Sequence, residues 1–318
     1  MEATLSPKWL LIEESLGGRP KLTGHPLDMR KQYKAFTDQA NAMHVKTANV
    51  VVEDMVVSPH LSARVYVPVT SNERLLPVGL YYHGGGWCCG DLESEDSLCR
   101  LVSEGMPCVI ISIGYRLAPE HKSPTQLNDA VDGWTWAFEN ASLWKGDQRK
   151  YFTIGQSAGG NLALAVANRL LALDRGPEIK GIVSVVPFVV HPSRVPPAYA
   201  DMYQSFRANE DAPANTAEAM NAFLDAAEAN PDDPDVFVLH SPHLRKFPPT
   251  YISVCGVDPL RDDGLIFDKV LRDLGVSTKL DHYEGLPHVF WAFGCEPPDG
   301  SFINDLLTGI GFVLQAES

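Results

Sequence analysis

Phe152-Thr153-Ile154-Gly155-Gln156-Ser157-Ala158-Gly159 is the stretch on which the fold turns. A β-rich run ends at Gly155 and an apolar helix opens at Ala158, running to about residue 174, so the chain reverses from strand to helix within two residues. Small residues at 155 and 159 suit so sharp a turn, and the turn lifts the Ser157 hydroxyl toward the open end of a sheet. The competing reading is a glycine-rich turn in which Ser157 is an ordinary helix N-cap.

Strands and helices alternate on both sides of this turn. Upstream, β-rich runs at 50–57 and 63–68 flank a short turn at Ser58, Pro59 and His60 and read as a hairpin-like pair. Further runs follow at 78–82 and 109–113, with helices near 94–104 and 126–140. Downstream lie strands at 182–186, 251–255 and 278–283, a helix at 264–274 and a closing helix at 302–315. Crossovers of this length imply an α/β fold, with a mostly parallel central sheet flanked by helices.

Two segments stand outside the alternation. Residues 1–49 carry Trp9, Ile12, Leu16, Tyr33, Phe36, Ala40 and Met43 at near-helical spacing, which predicts two or three short helices. Residues 187–249 are punctuated by prolines around an Ala-rich helical stretch at 214–229. That segment reads either as a disordered linker or as an ordered insertion. Its apolar residues Met202, Tyr203, Phe206, Met220, Phe223 and Leu224 favour an ordered helical cap, packed with residues 1–49 over the strand ends. The expected division is 1–49 and 187–249 for the cap, and 50–186 with 250–318 for the core. Trp9, Met202, Tyr203, Phe206 and Phe223 suggest an apolar pocket beneath it.

Composition narrows the partners. Among 318 residues, 40 acidic against 26 basic side chains give a net charge of −14, which repels nucleic acid and anionic membranes. No apolar run approaches the ~20 residues of a membrane span. Six cysteines without a C-x-x-C pair suggest neither a disulfide framework nor a zinc site. Cys88 and Cys89 read as small buried hydrophobes. The opening residues lack the basic start of a secretory signal and the last four carry no lipidation or retention signal, so a cytoplasmic protein is expected.

The chemistry concentrates at strand ends. His83-Gly84-Gly85-Gly86-Trp87 follows the run at 78–82. Three glycines let backbone N–H groups converge on a developing oxyanion, joined by the amide of Ala158 at the start of its helix; a merely flexible loop is the alternative. A serine nucleophile needs a base and an orienting acid in the order Ser, Asp, His. Asp258 follows the strand at 251–255 and His288 the strand at 278–283. Asp262, Asp263, Asp281 and Glu284 are rival acids, the first two read as helix caps. His121, His240, His243 and His282 are rival bases.

These segments, with Tyr115-Arg116-Leu117-Ala118-Pro119-Glu120-His121, Asp258-Pro259-Leu260-Arg261-Asp262 and Gly285-Leu286-Pro287-His288-Val289-Phe290, together resemble the hormone-sensitive-lipase-like family of α/β-hydrolases. The resemblance runs from about residue 76 to 290 in the family's order. It implies an α/β-hydrolase sheet with a helical cap and carboxylester hydrolysis without cofactor or metal. It carries the nucleophile, acid and base onto Ser157, Asp258 and His288, and the oxyanion donors onto Gly85, Gly86 and Ala158. Two departures stand out: Gln156 where the family commonly has Asp, and Glu95 where it commonly has His.

The expected activity is therefore a serine hydrolase cleaving carboxylic esters of small or medium apolar substrates through an acyl-enzyme. Lactonase, thioesterase or acyltransferase chemistry on a biosynthetic intermediate would use the same groups. A non-catalytic small-molecule binding protein is the remaining class, and the presence of His288 argues against it. The expected partner is a small-molecule ester, with a homodimer compatible with it.

Overall fold

The computed structural model describes residues 4–71 and 74–315; part of each chain end on which the reading of targeting signals rests lies outside them. Two helices come first, α1 (Pro7–Ser15) and α2 (Pro26–Ala42). Each opens on a proline, whose fixed φ suits the first helical position, after an N-cap from Ser6 or His25. The strands are β1 (Val50–Ser58), β2 (Leu61–Pro68), β3 (Leu76–Tyr82), β4 (Val109–Gly114), β5 (Gly146–Gln156), β6 (Gly181–Val185), β7 (Thr250–Val257) and β8 (Thr278–Pro287). Between and after them lie α3 (Asp96–Gly105), α4 (Thr125–Glu139), α5 (Ala158–Ala172), α6 (Ser205–Ala208), α7 (Ala217–Ala227), α8 (Arg261–Asp273) and α9 (Phe302–Gln315).

One eight-stranded sheet runs in the order β1-β2-β4-β3-β5-β6-β7-β8. β2 is antiparallel to both β1 and β4, and the remaining pairs are parallel. Burial follows from that layering. Every residue of β6 and β7 is buried, as helices on both faces require, whereas the edge strand β1 exposes much of its length. The chain passes from β3 to β4 on one side and then to β5 on the other, so the order reverses at β3. The carboxyl ends of β3 and β5 flank that switch point, where open parallel sheets bind ligands.

The segment between β6 and β7 holds α6, α7 and short 3-10 turns, and α7 packs on α2. Its helical stretch is shorter than the 214–229 of the sequence reading, because Ala214 takes a left-handed backbone and Thr216 caps the helix at Ala219 N–H. Among the described residues, no helix is long and apolar enough to cross a membrane.

Candidate active site

At the end of β5 the backbone of Ser157 turns through φ 55°, ψ −121°, a conformation that L residues avoid and that costs roughly 1–3 kcal/mol. Close packing holds it there. A Cβ on Gly159 would lie 1.8 Å from the carbonyl oxygen of Tyr82, so α5 approaches β3 as only glycine permits. Ser157 occupies the N-cap position of α5, yet its hydroxyl makes no capping hydrogen bond. The N-cap reading of this serine therefore fails on geometry.

The loop after β3 is braced on three sides. The Tyr115 hydroxyl donates to the His83 carbonyl at 2.8 Å, and the two rings stack with centroids 4.0 Å apart. Burial lowers the His83 pKa to about 4, so the ring is neutral. From α2, Arg30 donates to the carbonyls of Cys88 and Ala118 at 2.5 and 2.7 Å and pairs with Glu120. Gly86 sits at φ 61°, and a Cβ there would lie 2.1 Å from the Phe223 ring, which covers the loop from α7. Cys88 and Cys89 are fully buried, with burial pushing both thiols up to about 12, so they are packing groups rather than nucleophiles.

Asp258 and His288 meet at the ends of β7 and β8. His288 Nδ1 lies 2.6 Å from Asp258 Oδ2, and Asp258 Oδ1 accepts the Leu260 N–H at 3.0 Å. Asp258 is fully buried and His288 nearly so. β8 extends to Pro287, four residues beyond the sequence expectation, so His288 leaves the strand directly. Ser157, His288, Gly85 and Gly86 line one cavity of about 460 Å³. Leu16, Leu22, Phe36, Met220, Phe223 and Phe293 supply its apolar wall.

None of the rival acids and bases lines that cavity. Asp262 and Asp263 stand in the first turn of α8, where Asp262 Oδ1 pairs with Arg261, but the backbone N–H groups their carboxylates accept belong to the insertion. Asp262 accepts the Gln204 and Ser205 N–H groups at 2.7 and 2.6 Å, and Asp263 accepts Val189 N–H at 2.9 Å. They anchor the insertion instead of capping their own helix. Of the aromatics expected in the pocket, only Phe223 lines it. Trp9 is buried against Phe293, its Nε1 donating to Glu13 at 3.0 Å, and Tyr203 stacks on Phe206 elsewhere. Among the described residues, His60, Asp129 and Asp132 bring metal-ligating atoms together, but none lines the cavity and Arg116 already grips Asp129.

The two departures prove to be one contact. Gln156 Nε2 donates to Glu95 Oε1 at 3.0 Å, and the Tyr33 hydroxyl donates to the same oxygen at 2.7 Å, all buried. Burial raises the Glu95 pKa from 4.5 to about 7, against the lowering effect of Tyr33, Gln156 and the Gly84 amide. A carboxyl whose pKa is raised on folding adds stability below its unfolded value, and that stability is lost as pH rises through 7. Glu95→Gln should therefore gain on the wild type between pH 5 and 8, by on the order of 3 kcal/mol, in denaturant unfolding at both pH values. A pH-independent difference would contradict this proton inventory.

Comparison with known proteins agrees with the geometry. A profile of the alpha/beta hydrolase fold matches residues 79–292. Versiconal hemiacetal acetate esterase of Dothistroma septosporum is 36% identical, covering 99% of this chain and 97% of its own. The crystal structure of vibralactone cyclase superposes with a TM-score of 0.86 at 26% identity, covering 98% of this chain and 96% of that one. An esterase from Pyrobaculum calidifontis superposes at 0.81 with 28% identity, covering 97% and 98%. With a strand-to-helix serine turn, a glycine loop after β3 and a paired Asp and His at the ends of β7 and β8, the chain belongs to the hormone-sensitive-lipase-like family of the α/β-hydrolase fold.

Proposed function

We infer that this chain, a carboxylic-ester hydrolase of its family, cleaves its substrate through an acyl-enzyme on Ser157. The observation that carries the reading is the uncapped Ser157 hydroxyl on the same cavity as a histidine held at 2.6 Å by a buried aspartate. Ser157 Oγ attacks the ester carbonyl while His288 takes its proton, and Asp258 orients the imidazole and stabilises the imidazolium. The oxyanion is received by the amides of Gly85, Gly86 and Ala158, the last at the dipole-positive start of α5. His288 returns the proton to the leaving alcohol. Water then attacks the acyl-enzyme by the same route.

The substrate we propose is a small-molecule ester with a short acyl group and a larger, largely apolar alcohol. Two observations support this: a full-length relative is named as an acetate esterase, and the cavity has the size of a drug-like ligand with a mainly apolar wall. Transfer to an internal or second hydroxyl in place of water is the other reading. It is favoured by likeness to a cyclase, and product analysis in the presence of alcohols separates the two. The cytoplasm is the proposed compartment, since all six cysteines are free and buried.

Ser157→Ala should abolish turnover of p-nitrophenyl acetate with an unchanged melting curve. Asp258→Asn should lower kcat on the order of 10⁴-fold, as a wrong imidazole tautomer does. Asp262→Asn and Asp263→Asn should lower stability and keep far more turnover; a larger kcat loss at either than at Asp258 contradicts the assignment.

Cap substitutions should separate equally cleanly on a panel of graded acyl chains. Phe223→Ala should change chain-length preference, because its ring lies over Gly86, by ~1–3 kcal/mol per methylene accommodated. Phe206→Ala should leave the profile as it is, and equal profiles for both variants would remove Phe223 from the pocket wall.

A further inference from the structure

One strip of the insertion reaches the buried carboxylate directly. Asn209 Nδ2 donates to the Asp258 carbonyl at 3.0 Å, and Asn215 Nδ2 to Asp258 Oδ1 at 3.4 Å. Asn215 is buried and also borders the 460 Å³ cavity. It thus touches both the substrate space and the acid of the reaction.

The strip is held in place from the N-terminal side. Ala214 adopts φ 65°, a left-handed backbone that alanine seldom takes, and its N–H donates to the Pro20 carbonyl at 2.7 Å. The Asn215 N–H turns back on the Pro213 carbonyl at 2.7 Å, which tightens the backbone turn that carries it. Beside them, Arg19 Nη1 donates to the Asp211 carbonyl at 3.3 Å, and Lys21 pairs with the Asp211 carboxylate. Residues 19–21 and 211–215 are therefore stitched together, with the last link of the stitch on Asp258. Arg19, Pro20, Lys21, Ala214 and Asn215 all line the cavity, so an ester bound there lies against this seam.

We propose that Asn215 is a positioning residue for ester hydrolysis, fixing the Asp258 carboxylate when residues 19–21 are seated on 211–215. The wall of the substrate cavity and the acid–base pair are in this way set by one linked unit. The proposal rests on the reading of Ser157, Asp258 and His288 given above. Removing the Asn215 donor leaves Asp258 a better acceptor, so it holds the proton on His288 more tightly. Among the described residues, the other titratable or charged groups near Asp258 include Cys255 on β7, Asp263 in the first turn of α8, and Arg261, which donates to the Gly256 carbonyl and pairs with Asp262. Burial raises the pKa of both Cys255 and Asp263. Neither is touched by the substitutions below.

The test is steady-state kinetics of p-nitrophenyl acetate hydrolysis across pH, on the wild type, Asn215→Ala, Asn215→Gln, Asp211→Ala and Ser157→Ala. Asn215→Ala should lower kcat roughly tenfold, the scale of one hydrogen bond to a charged group. Its KM should stay within about threefold, as expected for an interaction that does not bind substrate. The acid limb of kcat/KM should move to higher pH by about half a unit. Asn215→Gln, which keeps the amide donor, should bring the limb back toward the wild type. Asp211→Ala, a change at an exposed side chain, should move it in the same direction as Asn215→Ala and by less; this arm decides the matter if Asn215→Ala does not fold. An unmoved acid limb and unchanged kcat in Asn215→Ala, or in Asp211→Ala where that arm decides, would overturn the proposal while inactive Ser157→Ala leaves the underlying reading standing. Turnover surviving in Ser157→Ala would overturn that reading and the proposal with it.

Discussion

The close approach of α5 to β3 at Gly159 is the constraint on which the site depends. With the helix backbone against the Tyr82 carbonyl, the chain between β5 and α5 must turn at a single residue, and Ser157 takes the strained conformation that results. Strain of this kind persists only where surrounding packing fixes it. Here that packing is the core of the sheet: Tyr82, Ala158 and Leu162 all belong to the main hydrophobic cluster. The same approach sets the glycine loop after β3 beside the serine, so the proposed nucleophile and oxyanion donors are positioned by one contact between two elements.

The remaining parts of the site are tied to that contact by polar links across long sequence separations. Arg30 joins α2 to the loop at Cys88 and to the segment at Ala118, and Tyr115 braces His83. Glu95, Tyr33 and Gln156 form a buried polar group beneath the elbow, linking α2, the start of α3 and the end of β5. Burial holds the Glu95 carboxyl pKa at about 7 despite these donors, so the group gains a buried charge as pH rises through that value.

What the sequence made legible were features written in local backbone grammar. The strand-to-helix turn, the glycine run after β3 and the placement of Asp258 and His288 just past strands all follow from residue size and strand ends, and the geometry joins the last two at 2.6 Å. The order of strands and helices was legible for the same reason, since buried parallel strands are uninterrupted apolar runs. Boundaries with polar residues were not: β5 begins at Gly146, six residues before the apolar run, because Leu76 pairs with Gly146 ahead of a register shift. The side-chain direction of Asp262 and Asp263, the burial of Trp9 on Phe293 and the reach of Asn215 depend on how the insertion and the N-terminal helices fold back, and periodicity carries no signal for that. The pairing of Gln156 with Glu95, 61 residues apart, did have a signal. Both positions depart from the family pattern, and paired departures point to a contact.

On the proposed mechanism an acyl group resides on Ser157 during turnover. Acid quenching of the enzyme in the presence of p-nitrophenyl acetate, followed by peptide mapping, measures this directly. The added mass of one acetyl group should appear on the peptide that carries Ser157 in the wild type, decay as turnover exhausts the ester, and be absent from that peptide in Ser157→Ala. Acetylation confined to Cys88, Cys89 or a lysine, with the Ser157 peptide unmodified throughout turnover, would contradict it.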